Sequence, residues 1–221
     1  MKEKIVLKSA HPESYPDLIV ECRVIPNDKI GEYLESISEE RKFYAYKNKL
    51  VKARRGKVGE VIKTTLKTVV DGKEYILSEE ENTVRERTYT RRTKMSNGDV
   101  VEQEVTAPDM VITNYHSTSN EEYVVKHQKF MDTYEFVEDD IRPGKRYGFS
   151  PRFMPRYDSR LLTQVDENII IMTSWGAPAA CLAGSYIVTY NAEENDYNTI
   201  ERGAFESTYT KEDQSTKKLK R

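Results

Sequence analysis

The sequence has few of the residues that most often mark a chemical site. Of its 221 residues, only two are cysteine, three are histidine and one is tryptophan. The histidines share no spacing typical of metal ligands and neither cysteine has a second soft ligand nearby, so the pattern predicts no metal site. A glycine-rich phosphate loop after a strand and a nucleophile elbow are also missing from the sequence. We therefore expect no cofactor, and the sequence predicts no catalytic residue.

Long apolar runs are missing as well. No segment approaches the roughly 20 apolar residues that a membrane span needs, and Met1 to Lys4 are followed by no apolar signal-peptide region. Cys22 and Cys181 are far apart and lie in apolar surroundings, which favours reduced thiols that face the core. We expect a soluble, cytoplasmic protein with no membrane partner.

Neither sign of charge dominates the chain. Its 35 Lys and Arg residues against 37 Asp and Glu give a net charge of −2, which argues against a protein that is basic over its whole surface. Charged residues make up 33% of the chain, so the surface must be very polar. Fifteen tyrosines and six phenylalanines still supply bulky core material, which argues against general disorder.

Residues 107–134 and 183–209 look like two copies of one unit. In each copy an Asp or Ser stands four positions before a Thr, a Tyr follows, and a Phe stands four positions before a closing Tyr. The corresponding pairs are Asp109 and Ser185, Thr113 and Thr189, Tyr123 and Tyr197, Phe130 and Phe205, and Tyr134 and Tyr209. A pattern that recurs with only its loop lengths changed is typical of a repeated supersecondary unit.

We predict a β-rich α+β fold, in which an N-terminal βα element precedes two similar small β units, barrel-like or of twisted sheet, each capped by a short helical turn. Apolar residues at helical spacing predict a helix over residues 28–42, and Asp71-Gly72 and Asn97-Gly98 predict hairpin turns. The predicted organisation is an N-terminal element at 1–42, a first β unit at 43–140 with a β-ribbon inserted at about 60–105, a basic Pro/Gly connector at 141–160, a second β unit at 161–210 and a disordered basic tail at 211–221.

The stretch from Leu182 to Thr189, LAGSYIVT, resembles the PGDYG-type proteins, small prokaryotic and phage proteins. The similarity extends to Trp175-Gly176 and, in the first copy, to residues 107–114, APDMVITN. Both copies depart from the pattern, and only Asp109 keeps its Asp. The resemblance implies a fold, and a location in the host cytoplasm if a phage encodes the chain, but no activity.

The basic connector is the strongest binding candidate, and a second basic stretch is a further one. In the connector, guanidinium groups beside aromatic rings could receive phosphates or bases. Its cations are Arg142, Lys145, Arg146, Arg152, Arg156 and Arg160, interleaved with Phe149, Phe153 and Tyr157. The second stretch covers residues 47–57, and together with residues 85–94 it could form a positive face. Either stretch could instead be a solvated surface.

Two single residues have two interpretations each. Asp109 is either a carboxylate displayed to a ligand or, as we favour, a turn residue that binds the backbone two residues on. Trp175 is either a ligand contact or, as we favour, an apolar cover over the second unit, in which case Trp175→Ala should destabilise by about 3–5 kcal/mol.

The leading hypothesis is a non-enzymatic binding or accessory protein that recognises an anionic ligand or a protein partner. A nucleotide, a nucleic acid and a host or virion protein are the candidate partners, and the oligomeric state is not predicted. The alternatives are an enzyme acting on nucleotides or nucleic acid, for which Asp109, His127 and Arg152 are the only starting points, and a structural or virion-associated protein.

Overall fold

The computed structural model describes residues 1–115, 121–139, 151–156, 158–173 and 176–212, and within them it has three short α-helices and eighteen strands. The helices are α1 (Ile30–Ser36), α2 (His127–Thr133) and α3 (Arg202–Thr208). The strands are β1 (Lys2–Ser9), β2 (Leu18–Val24), β3 (Lys42–Lys47), β4 (Val51–Arg55), β5 (Val61–Val70), β6 (Lys73–Thr83), β7 (Glu86–Lys94), β8 (Val100–Pro108), β9 (Met110–Asn114), β10 (Glu121–Val125), β11 (Tyr134–Asp139), β12 (Pro151–Pro155), β13 (Arg160–Gln164), β14 (Ile169–Met172), β15 (Pro178–Cys181), β16 (Tyr186–Asn191), β17 (Asp196–Ile200) and β18 (Tyr209–Lys211). No helix in these described ranges is long and apolar enough to cross a membrane.

The predicted β-rich α+β fold is confirmed, and its two similar units are two five-stranded sheets. The first sheet has the order β10-β9-β4-β12-β11, and the second has the order β17-β16-β13-β3-β18. Each consists of a hairpin at one edge, two inner strands and a closing strand at the other edge, and every pairing is antiparallel. A seven-residue helix connects the hairpin to the closing strand in both sheets, α2 in the first and α3 in the second.

The two sheets exchange strands, which the predicted domain boundaries did not include. β3 is an inner strand of the second sheet, but the chain then crosses through residues 48–50 to β4 in the first sheet. The return crossing at residues 156–159 takes the chain from β12 in the first sheet to β13 in the second. The units predicted at 43–140 and 161–210 are therefore interlocked. Residues 151–155 of the predicted connector form an inner strand, with prolines only at its two ends, where a missing N–H is tolerated.

The cores under the two helices use the same positions. The ladder registers make Ala53 equivalent to Leu162, Met110 to Tyr186, Ile112 to Val188, Val125 to Ile200, Phe130 to Phe205, Tyr134 to Tyr209 and Phe153 to Ala45. All of these residues belong to the two apolar clusters that the helices cover. In both cores the helix Phe stacks on the closing Tyr, with an interplanar angle of 16°.

One predicted equivalence is wrong. Tyr123 lies opposite Ile112, whereas Tyr197 lies opposite Thr189, the counterpart of Thr113. The counterpart of Tyr123 is therefore Asn198. A one-residue shift of this kind places the two tyrosines on opposite faces of their sheets, and Tyr197 packs in the core around α1 instead.

The N-terminal element and the predicted ribbon meet in a third sheet, of six strands, with the order β15-β14-β2-β1-β6-β5. The predicted helix over 28–42 is shorter than expected: a 3₁₀ turn covers Asn27–Lys29, α1 ends at Ser36, and β3 already begins at Lys42. Ser36, Ile37 and Ser38 are weaker helix formers than Leu or Glu, and Ile37 has extended backbone.

The ribbon predicted at about 60–105 is two hairpins. β5 and β6 are joined at Asp71-Gly72, where both residues have positive φ as the predicted two-residue turn requires. This hairpin pairs with β1. β7 and β8 form a separate two-stranded sheet whose turn includes Asn97 and Gly98.

Candidate functional site

A concave groove lies between α2 and the β7–β8 hairpin, and we call it the α2 groove. It encloses about 1090 Å³. The first sheet supplies its floor through Arg55 of β4, Met110 of β9 and Phe153 of β12, and the hairpin supplies one wall through Tyr89 and Arg91. The exposed side of α2, which begins at His127, supplies the opposite wall.

The groove contains two guanidinium groups, of Arg55 and Arg91, that form no ion pair with a described residue. Within the described residues, Arg55 and Arg91 form no ion pair and no side-chain hydrogen bond. By contrast, Arg92 binds Glu102 at 2.8 Å on the hairpin. Asp132 of α2 is the acidic residue in the described lining. The two open cations are suited to an anionic group.

Aromatic rings lie beside these cations. Tyr89 and His127 stack across the groove with their ring centroids 5.5 Å apart and an interplanar angle of 22°. On the floor, the Phe153 ring lies edge-on to Phe130 at 4.8 Å. The neighbouring strand β11 carries Phe136, which contacts Phe153 at 5.8 Å and is 57% exposed. Phe136 is not among the described lining residues, but its exposed ring adjoins the Phe153 ring on the groove floor.

Asp109 ties the base of the hairpin to the first sheet and does not face the groove as an open carboxylate. It is 2% exposed, and its two carboxylate oxygens accept hydrogen bonds from Nε of Arg87 at 3.0 Å and from the backbone N–H of Arg85 at 3.1 Å. The favoured interpretation, a local turn with the backbone two residues on, is wrong, because Arg85 lies just before β7 and Arg87 lies on β7.

Gly56 lets β4 approach the base of the hairpin closely. Its N–H donates to the carbonyl of Asp109 at 2.9 Å. A Cβ added to Gly56 would lie 2.7 Å from two carbons of Val84, so no larger residue fits without displacing the chain. Asp109 and Gly56 therefore connect the base of the hairpin closely to the first sheet.

Among the connector candidates whose side chains are described, Phe153 lines the groove and Arg156 and Arg160 do not. Arg146 and Trp175 lie outside the described residues, as does the tail from residue 213 onward. Arg152 belongs to β12, and only its backbone is described. Arg156 is exposed at the return crossing, and Arg160 binds Asp158 at 2.6 Å and lies 5.4 Å from the centre of the Tyr190 ring.

Lys47, at the other crossing, lies among tyrosines of both units. Its ammonium group is 5.6 Å from the centre of the Tyr209 ring. The interaction with Tyr209 raises the pKa of Lys47 well above its usual value, although burial acts in the opposite direction. The contact with Tyr209 lies within the second sheet, where β18 pairs with β3.

Two of the three residues suggested for catalysis, Asp109 and His127, have described side chains. His127 and Asp109 share no hydrogen bond, and in the described chain no group of three or more His, Cys, Asp or Glu residues could hold a metal ion. Burial raises the pKa of the Cys22 and Cys181 thiols, which keeps both protonated at neutral pH. The enzyme alternative therefore gains no support.

The sequence indicated part of this site. The proposed positive face of residues 47–57 with 85–94 corresponds to Arg55 together with Arg91 and Arg92 at the groove. The stacking of Tyr89 on His127 was missed, because no local pattern shows that the hairpin leans against α2. Of the protein families, curated proteins and solved structures compared with this chain, none matches it.

Proposed function

We propose that this protein is a non-enzymatic binding protein that takes an anionic ligand in the α2 groove. One observation carries the proposal: Arg55 and Arg91 come from separate segments of the chain, meet at one groove, and form no ion pair with any described residue. Both side chains are exposed, so their charge is available to an anion that enters the groove. The resemblance to PGDYG-type proteins, a phage or bacterial origin and a cytoplasmic location remain parts of this proposal.

The second unit provides an internal comparison. The counterpart of Arg55 is Gln164, whose side-chain amide donates to the carbonyl of Gly184 at 3.0 Å. The counterpart of His127 is Arg202, which binds Glu206 at 2.8 Å on α3. The polar groups at these positions are thus bound by the protein itself, which supports binding by the first unit.

The test is titration of a labelled oligonucleotide, a nucleotide and pyrophosphate at two salt concentrations, followed by fluorescence anisotropy or calorimetry. We expect binding that weakens as salt increases, and a further loss in Arg55→Gln and Arg91→Gln. Arg202→Gln is the matched control, since it removes the same charge from the other unit, and its affinity should equal that of the parent. The proposal fails if none of the three ligands binds at low salt, or if both groove variants bind as the parent does.

A further inference from the structure

We infer that the ligand of the α2 groove is a single-stranded nucleic acid, whose phosphates meet Arg55 and Arg91 while its bases stack on the exposed rings beside them. This inference rests on the proposed function and narrows its ligand class. The inference uses the aromatic rings as well as the positive charge. Inorganic phosphates and acidic polymers gain nothing from an aromatic surface. An unpaired base has a planar face that stacks on an aromatic ring.

The aromatic contacts lie at both ends of α2. The Tyr89–His127 stack is at the first residue of the helix, and Phe136 follows two residues after Tyr134, where the helix ends. A ligand that stacks on both ring positions has more than one base, because each position takes one base. A strand of several nucleotides reaches both places, and a mononucleotide reaches one.

The distribution of charge on the hairpin argues against a duplex. Arg91 lies opposite Gln103 on the face of the hairpin that Tyr89 shares, whereas Thr90 lies opposite Glu104 and Arg92 lies opposite Glu102 on the other face. Arg91 therefore has no acid opposite it, whereas Arg92 on the other face pairs with the Glu102 opposite it, so the unpaired positive charge of the hairpin is narrow. A duplex, which presents two charged backbones and hides its bases, needs a broader basic surface and gains nothing from the rings.

The experiment compares four ligands on the full chain: an oligothymidylate of about twelve nucleotides, the same sequence as a duplex, a mononucleotide and inorganic polyphosphate. Tyr89→Leu and Phe136→Leu remove the aromatic faces and retain apolar volume. Tyr190→Leu is the control, since this ring is 43% exposed but belongs to the second unit. Thermal melting of each variant establishes that it is folded.

We expect the single strand to bind more tightly than the other three ligands, and each groove variant to lose about tenfold in affinity for it. Polyphosphate binding should be the same in both groove variants as in the parent. Equal affinity for the duplex or polyphosphate, or single-strand binding that neither aromatic substitution weakens, overturns the inference and leaves the anionic-ligand proposal standing. If no ligand binds at all, the proposed function fails together with it.

Discussion

Five arginines on β4 and β7 differ in whether a carboxylate binds them. Arg54 binds Glu60, Arg87 binds Asp109 and Arg92 binds Glu102. Arg55 and Arg91 have no such partner within the described residues, although they are next to two of the paired ones in sequence. At the scale of single residues, this difference separates the arginines that stabilise the hairpin from those that are open to a ligand.

Asp109→Asn should destabilise the protein by about 2 kcal/mol, because the substitution weakens a charged hydrogen bond to Arg87 in a buried place. Urea unfolding followed by circular dichroism gives the change in free energy. Glu102→Gln is the control, since its partner Arg92 is exposed, and we expect a change within about 0.5 kcal/mol. Equal changes in both variants would show that Asp109 is no structural anchor.

Acidification should remove the contribution that the Glu60 carboxylate makes to the stability of the folded protein. Hydrogen bonds from Arg54, and then from the backbone N–H of Lys57, lower the pKa of this carboxyl from 4.5 to about 2. A lowered folded-state pKa means that the contribution is complete above pH about 4.5 and is lost as the pH falls towards 2. The melting temperatures of the parent and of Glu60→Gln should therefore differ at pH 6 and converge on acidification. A difference that does not change with pH would contradict this pKa.

At the scale of elements, the two helix-covered cores place their large and small side chains on different strands. Phe153 in the first core corresponds to Ala45 in the second, while Ala53 corresponds to Leu162. In the first sheet the large residue is on β12 and the small one on β4. In the second sheet the small residue is on β3, the counterpart of β12, and the large one is on β13. Cores tolerate such changes when the total volume is retained, so the same architecture survives with different residues.

Phe130→Ala and Phe205→Ala should have similar effects, because each removes the ring that a helix buries in its sheet. We expect each to lower the free energy of unfolding by about 3–5 kcal/mol. Phe136→Ala, which removes an exposed ring on β11, should cost less than about 1 kcal/mol. A large loss from one helix substitution and none from the other would show that the two units are not built alike.

The repeated elements could be predicted where the pattern is local. Phe130 and Phe205, each four positions before its Tyr, indicated the capping helices, and the hydroxyls of Thr133 and Thr208 donate to carbonyls four residues earlier in the same way. The alignment of Tyr123 with Tyr197 failed because the hairpin loops differ in length. Strand register is set by pairing across the sheet, which local sequence does not show.

At the scale of the whole molecule, the exchange of strands makes the two units one structure. β3 and β12 are each an inner strand of the sheet built mainly from the other part of the chain. Sequence reasoning did not find this exchange, because it treated the Pro- and Gly-rich residues 141–160 as a linker. Only the partners of β12, which are β4 and β11, show that this segment completes the first sheet.

Neither half of the chain should therefore fold alone. A fragment of residues 1–145 lacks β12, and one of residues 146–221 lacks β3, so each leaves a sheet without an inner strand. We expect poorly dispersed amide spectra from each fragment and a native-like spectrum when the two are mixed. A well-dispersed spectrum from the second fragment alone would contradict the interlocked arrangement.

The basic residues of the site could be predicted from the sequence, but the groove in which they lie could not. The basic residues of 47–57 and 85–94 are visible in the sequence, but the groove requires the β7–β8 hairpin to lean on α2, and that depends on the buried contacts of Asp109 and Gly56. The carboxylate of Glu60 binds Arg54 and not Arg55, so the guanidinium group of Arg55 has no such partner.

Hydrogen–deuterium exchange with and without a bound oligothymidylate locates the ligand on the chain and tests the central claim most directly. We expect slower exchange in residues 86–92 and 127–133, the two walls of the α2 groove, and no change in α3. Protection confined to the crossings at 47–52 and 156–160, where Lys47 and Arg160 lie, would contradict it.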